Sequence, residues 1–144
     1  MYEPYINYWA VLVSAIAFFV LGAIWYGPVF GKAWIKSMGY SQEDLDAEKE
    51  ETNMVKSFGL MGLGAVLMTY VMAYMVDFML QVFPEMSGVG VGLNAGFWMW
   101  LGFILAYLMT APAFERRPWS YVFINGGYWL LGILMTGVIE GAWR

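Results

Sequence analysis

Two carboxylates, Asp77 and Glu140, border long apolar stretches and are the residues of this chain best suited to proton or cation chemistry. The chain contains no cysteine and no histidine. That absence excludes disulfides, thiolate or imidazole metal sites, haem held by histidine, and any catalytic triad that needs an imidazole base. Asp77 follows Ala65, Thr69 and Ala73 at four-residue spacing, which places it on the small-residue face of a helix. We therefore predict that Asp77 points into a helix bundle and not toward lipid.

Glu140 ends a partly polar seam on the last apolar stretch, formed by Asn125, Trp129, Ile133 and Thr136. A carboxylate costs about 2.5–3.5 kcal/mol at a bilayer centre and much less at its border, so position alone does not decide its role. Two interpretations stay open. Asp77 and Glu140 are solvated helix-end groups, with Glu140 paired to Arg144 four residues on, or they converge on a proton or cation site near the outer face.

The elements that position these carboxylates are four apolar segments, predicted as helices at residues 6–27, 57–80, 89–114 and 120–142. Asp77 and Glu140 are the only charged residues within them. Twenty helical residues rise roughly 30 Å, the thickness of a bilayer core. Hydrophobic residues make up 61% of the chain and charged residues 12%, which is too apolar for a soluble domain of this size. We predict one all-α domain over residues 1–144, a polytopic membrane protein with four transmembrane helices.

Basic residues predict the orientation in the membrane. Between the first and second segments lie Lys32, Lys36, Lys49 and Lys56, between the third and fourth lie Arg116 and Arg117, and the other side carries only Arg144. Because cytoplasmic loops are enriched in lysine and arginine, both loops are predicted to be cytoplasmic. Both termini are then extracytoplasmic, in a multi-pass protein of the cell (inner) membrane.

The first cytoplasmic loop, residues 28–56, is predicted to hold two helices. Phe30, Trp34, Ile35 and Met38 recur at helical spacing, opposite Lys32 and Lys36, as expected of a short helix at the membrane interface. Gly39 is placed to end this helix. Ser41 followed by Asp44 resembles a capping box at the start of a second, acidic helix. Its acidic run is either a solvated face or a docking site for a partner.

Small residues at four-residue spacing predict close helix packing. They are Gly88, Gly92 and Gly96 in the third segment and Gly137 and Gly141 in the fourth. Such spacing lets helix backbones approach each other where lipid removes the hydrophobic driving force. These glycines are the predicted helix-packing residues.

A second polar group is predicted at the cytoplasmic side, consisting of Lys32, Glu115, Arg116, Arg117 and Asn125. In one interpretation Asn125 ties its helix to a neighbour while the arginines extend to anionic headgroups. In the other, the group forms a polar pocket for an anion such as a lipid phosphate. Membrane lipids are the expected partners in both cases.

Four segments carry a family resemblance: WYGPVFGKAW, SQEDLDAEKE, FERRPWSYVFINGGYWLLG and GVIEGAWR. In this order they resemble the short prokaryotic membrane proteins grouped as the domain of unknown function seventeen sixty-one. The resemblance implies four transmembrane helices and no assigned activity. The positions that match the family pattern are Trp25, Tyr26, Pro28, Gly31, Lys32, Trp34, Phe114, Glu115, Arg116, Asn125, Gly127, Tyr128, Gly141 and Trp143.

Three classes of function follow from the sequence. A structural or accessory subunit, or a self-associating bundle, is favoured because the glycine faces and aromatic residues offer more contact surface than one bundle needs. The alternative is a small homo-oligomeric transporter or channel that uses Asp77 and Glu140, since four short helices rarely enclose a path alone. An enzyme is disfavoured for want of a nucleophile or base motif. No nucleic-acid partner is expected; the net charge of −4 comes largely from the acidic run of one loop and says little about such a partner.

No cofactor is expected either. An apolar slot for a quinone or pigment is an alternative use of five aromatic residues, Trp98, Trp100, Tyr107, Tyr128 and Trp129. Because aromatic residues are common in membrane helices, ordinary packing is the simpler interpretation.

Overall fold

The computed structural model describes residues 3–51 and 53–143, apart from the side chains of residue 42 and residues 48–51. Six helices follow one another in this part of the chain: α1 (Tyr8–Val29), α2 (Gly31–Met38), α3 (Gln42–Glu51), α4 (Met54–Val82), α5 (Gly88–Phe114) and α6 (Trp119–Ala142). Helices α1, α4, α5 and α6 are long and apolar enough to cross a bilayer. The predicted all-α class with four spanning helices is confirmed.

Three spanning helices begin at a side chain that accepts hydrogen bonds from backbone N–H groups. The Asn7 side chain accepts from the N–H groups of Trp9 and Ala10 at the start of α1. Asn53 and Ser87 do the same for α4 and α5. Each of these caps supplies an acceptor to a donor that has no partner within the helix.

Two spanning helices depart from regular α geometry. Helix α1 is α-helical over Tyr8–Ile24 and ends in a π-helical turn at Trp25–Val29, which contains Pro28. Helix α5 is α-helical over Gly88–Met99 and π-helical over Trp100–Leu105. Proline and π-helical turns are the usual origins of a sharp change in helix direction. The α1 turn leads directly into α2.

Helices α5 and α6 form the closest pair in the bundle. A Cβ atom on Gly92 would overlap the carbonyl of Gly137, and one on Gly88 would overlap the carbonyl of Gly141. At Gly96 a Cβ atom would lie 3.3 Å from the Ile133 carbonyl oxygen. The predicted packing glycines therefore lie where the two backbones are in contact.

Helices α2 and α3 lie at the end of the bundle that carries the long loop. Helix α2 ends at Gly39, whose φ of 75° lies in the left-handed region. The Arg117 guanidinium donates from Nη1 to the Met38 carbonyl at 2.8 Å, which satisfies an acceptor at the end of α2 with a cation. Arg117 thus fixes α2 to the segment that precedes α6.

The capping box predicted for α3 is present. The Asp44 Oδ2 atom accepts from the Ser41 hydroxyl at 2.6 Å and from the Ser41 backbone N–H at 2.8 Å, and Ser41 Oγ accepts from the Asp44 N–H at 3.1 Å. The two bonds that Ser41 donates lower the pKa of the Asp44 carboxyl below its ordinary value. The stabilisation from these bonds is therefore present at neutral pH and is lost only as the pH falls through that lowered pKa.

Candidate carboxylate site

The carboxylate site lies at the terminal end of the bundle, where α1 begins and α6 ends. Asn7 Nδ2 donates to the Trp143 carbonyl at 3.4 Å, so the two ends of the described chain meet there. Asp77 and Glu140 are 3% and 5% exposed. Both line one cavity of about 10 Å³. The structure thus brings together two carboxylates 63 positions apart in the sequence.

Asp77 receives hydrogen bonds from two directions. The Tyr5 backbone N–H donates to Asp77 Oδ2 at 3.2 Å, and Gln81 Nε2 approaches the same oxygen at 3.5 Å. Tyr5 belongs to the extended segment that precedes α1, and it is one of the residues that line the cavity. The N-terminal segment therefore covers the cavity and supplies a donor to one of its carboxylates.

Glu140 differs from Asp77 in its hydrogen bonding. Its Oε1 atom has no hydrogen-bond partner within the described residues. The Ser14 hydroxyl of α1 approaches the Glu140 carboxyl. It is fully buried, and it also lacks a well-formed hydrogen bond in this part of the chain. The predicted pairing of Glu140 with Arg144 lies outside the described residues. The Ser14 hydroxyl and the Glu140 carboxyl are thus buried polar neighbours, and Glu140 Oε1 remains available to a ligand.

The size of the cavity limits what it can hold. A volume of 10 Å³ is close to the lower bound for one water molecule. A buried carboxylate needs a proton, a cation or donors for compensation. Among the described residues no group of three or more acidic, histidine or cysteine side chains could hold a metal ion. The arrangement suits a proton, or a small monovalent cation with little of its hydration shell.

Sequence reasoning missed Tyr5, Asn7 and Ser14 as members of this site. Ser14 had a readable signal, since it lies seven residues after Asn7 on the same helical face of an otherwise apolar segment. Tyr5 had none, because it contributes a backbone N–H group, and a backbone donor leaves no mark on residue type.

The polar residues predicted at the cytoplasmic side make different contacts among the described residues. Arg117 Nε lies 3.8 Å from a Glu115 carboxylate oxygen, while its Nη1 bonds to the end of α2. Lys32 and Arg116 are exposed. Asn125 is turned toward α1, where its Oδ1 accepts from the Tyr26 hydroxyl at 2.6 Å. The contacts of Asn125 match the interpretation that it ties its helix to a neighbour.

The five aromatic residues considered for a quinone or pigment slot are also dispersed. Trp98 and Tyr107 are largely exposed on α5. The Trp100 indole donates to the Gly126 carbonyl at 2.8 Å. Tyr128 and Trp129 instead pack against Phe18 of α1. Their arrangement is therefore one of helix packing, with a separate aromatic cluster between α1 and α6.

Comparison with known protein families gives a match to this chain. A family model described as "Protein of unknown function (DUF1761)" matches residues 9–141, which is nearly the whole chain. No curated protein and no solved structure matches it significantly. The family model covers all four spanning helices and both carboxylates of the candidate site.

Proposed function

Because this chain belongs to the family of unknown function DUF1761, we propose its function from the geometry of the carboxylate site. We propose that it binds and releases a proton or a small monovalent cation at Asp77 and Glu140. In this proposal the chain works as a small homo-oligomeric transporter or channel. The observation that carries the proposal is the burial of both carboxylates in one cavity, with Glu140 Oε1 lacking a partner among the described residues. Intramembrane carboxylates that line a cavity are typical of ion and proton sites. The pair has a binding role in this proposal, not a catalytic one.

The direction of access follows from the distribution of charge. The predicted orientation, with lysines and arginines in the cytoplasm, puts the terminal end on the extracytoplasmic side. Of the described residues at this end, Tyr5, Asn7 and Trp143 line the cavity. A ligand would enter from outside by displacing these residues.

The need for an oligomer follows from the packing beneath the cavity. Met72 and Val76 are each only 1% exposed and fill the core below Asp77, together with Val91 and Ile133. A proton or cation that crosses the membrane needs a further polar path, and an interface between copies is the usual place for one in small transporters.

The test is ion flux into liposomes that contain the purified chain. With an imposed membrane potential, an interior pH dye and Na⁺ or K⁺ indicators should report uptake of one ion. Asp77→Asn and Glu140→Gln should each reduce the rate at least about tenfold, because a neutral amide cannot exchange a proton or hold a cation. Glu85→Gln, an exposed carboxylate before α5, is the matched control and should keep the rate. No flux of any ion, or equal flux in all variants, would refute the proposal.

An accessory or self-associating role is the second candidate function, and one residue favours it. Asn94 lies on the exposed face of α5, within an apolar spanning helix. An amide at a lipid-facing position gains a partner when a second helix packs over it. Native mass spectrometry of protein extracted gently from its own membranes separates the outcomes. Other subunits in the complex would favour the accessory role, and a homo-oligomer that Asn94→Leu weakens about tenfold would favour self-association.

A further inference from the structure

A cavity that opens toward lipid lies in the half of the bundle nearest α2, between α1, α4 and α6. It is a cavity of about 300 Å³, within the range of small-molecule sites. Phe18, Phe19, Tyr128 and Trp129 form its inner walls, and Met61 and Gly64 of α4 form its edge. This cavity is separate from the carboxylate site, so the inference from it is independent of the proposed ion binding.

The inner walls are held in place by ring contacts. The Phe18 ring lies 5.0 Å from the Tyr128 ring and 5.3 Å from the Trp129 ring, and Tyr128 and Trp129 are 5.6 Å apart. Interlocked rings of this kind do not collapse readily into a void. The cavity is therefore a lasting feature of the packed helices.

The cavity opens because the first part of α4 stands away from its neighbours. From Met54 to Gly64 most positions are exposed, including Met61 at 48%. No atom lies within 4 Å of the place where a Cβ atom on Gly64 would be. The edge of the cavity thus faces the hydrocarbon of the bilayer.

The chemistry inside the cavity is apolar. The Tyr26 hydroxyl is engaged by Asn125 at 2.6 Å. The Tyr128 hydroxyl is turned into α1, toward the Phe18 carbonyl at 3.5 Å and against Gly22. Because both hydroxyls are turned to other groups, they would not donate to the carbonyl groups of a bound quinone or pigment. Buried polar groups without a partner are costly. The largely apolar walls therefore favour hydrocarbon.

We infer that this cavity is a specific lipid site, which holds one hydrocarbon chain of a phospholipid from the leaflet nearest α2. The occupant is a lipid because the cavity opens to the acyl-chain region and its walls are mostly carbon surface. The wall formed by the aromatic cluster buries more of the surface of a hydrocarbon chain than a flat helix face does. A chain in the cavity is therefore bound more firmly than the chains of the surrounding bilayer.

The test compares two glycine variants of α4 in nanodiscs of phosphatidylethanolamine and phosphatidylglycerol. Gly64→Leu puts a side chain into the cavity, and Gly59→Leu adds the same side chain away from it. Neither Cβ position has an atom within 4 Å, and leucine has a higher helix propensity than glycine, so both variants should fold. Circular dichroism and size-exclusion chromatography check that they do.

Native mass spectrometry then counts the lipids that survive increasing collision energy. The wild-type chain and Gly59→Leu should each retain one phospholipid after the others are lost, whereas Gly64→Leu should retain it about tenfold less often. Equal retention in both variants, or no retained molecule in the wild-type chain, would overturn the assignment. A retained hydrophobic molecule that is not a phospholipid would overturn the choice of occupant.

Discussion

Replacing Gly92 with leucine is expected to disrupt the bundle and to lower its free energy of unfolding by more than about 3 kcal/mol. Even a Cβ atom at this position would overlap the Gly137 carbonyl of α6. The obstacle is backbone, so no side-chain rotation can relieve it. Helices α5 and α6 would have to separate along their closest contact, which also carries Gly88 and Gly141.

The matched control lies on the same helix. No atom from another part of the bundle lies within 4 Å of the Cβ position of Gly102, so Gly102→Leu should keep the bundle intact. Unfolding in mixed micelles, followed by circular dichroism, gives both free energies. Equal stabilities of the two variants would show that α5 and α6 do not pack as described.

The four-residue spacing of the small residues made the packing faces of α5 and α6 predictable from sequence. A spacing of four residues places Gly88, Gly92 and Gly96 on one helical face. Helix faces lined by small residues pack together in membranes. The sequence does not state which helix faces which. Pairing Gly92 with Gly137 requires the relative heights of two helices, and loop lengths constrain those only loosely.

The candidate site was predictable in its carboxylates and not in its surroundings. Asp77 could be assigned to the interior because its helical face is small, and Glu140 because it ends a polar seam. Their shared cavity depends on how α4 and α6 meet at the terminal end, and on the path of the segment around Tyr5. Neither the rotation of a helix nor the path of an extended segment has a sequence period to reveal it.

The contacts of the polar group predicted near the cytoplasm were also not predictable from the sequence. The predicted group lies near helix ends in the sequence and consists of Lys32, Arg116, Arg117 and Asn125. The polar groups at each helix end, however, need hydrogen-bond partners of their own. Arg117 satisfies the carbonyl at the end of α2, and Asn125 binds the Tyr26 hydroxyl. Local backbone and side-chain partners therefore use two of these residues before any shared ligand is considered.

Replacing Glu140 with leucine is expected to raise the free energy of unfolding by about 1–3 kcal/mol while abolishing ion uptake. The gain follows because the substitution removes a buried carboxylate whose Oε1 atom has no partner among the described residues, and such groups cost that much in folding. Asp77 keeps the Tyr5 N–H donor after the change. Unfolding in micelles, together with the liposome flux assay, measures both effects on one variant.

Thr136→Val tests whether a gain at Glu140 is specific. Thr136 lies one turn earlier on α6, is fully buried, and donates from its hydroxyl to the Gly132 carbonyl at 2.9 Å. Its hydrogen bond is already made, so removing the hydroxyl should change stability by less than about 1 kcal/mol. A structural Glu140 would give the opposite result for Glu140→Leu, a loss of stability, because a paired carboxylate would leave its partner behind. Stability gained together with function lost is the pattern of a residue kept for ligand binding at a cost to the fold.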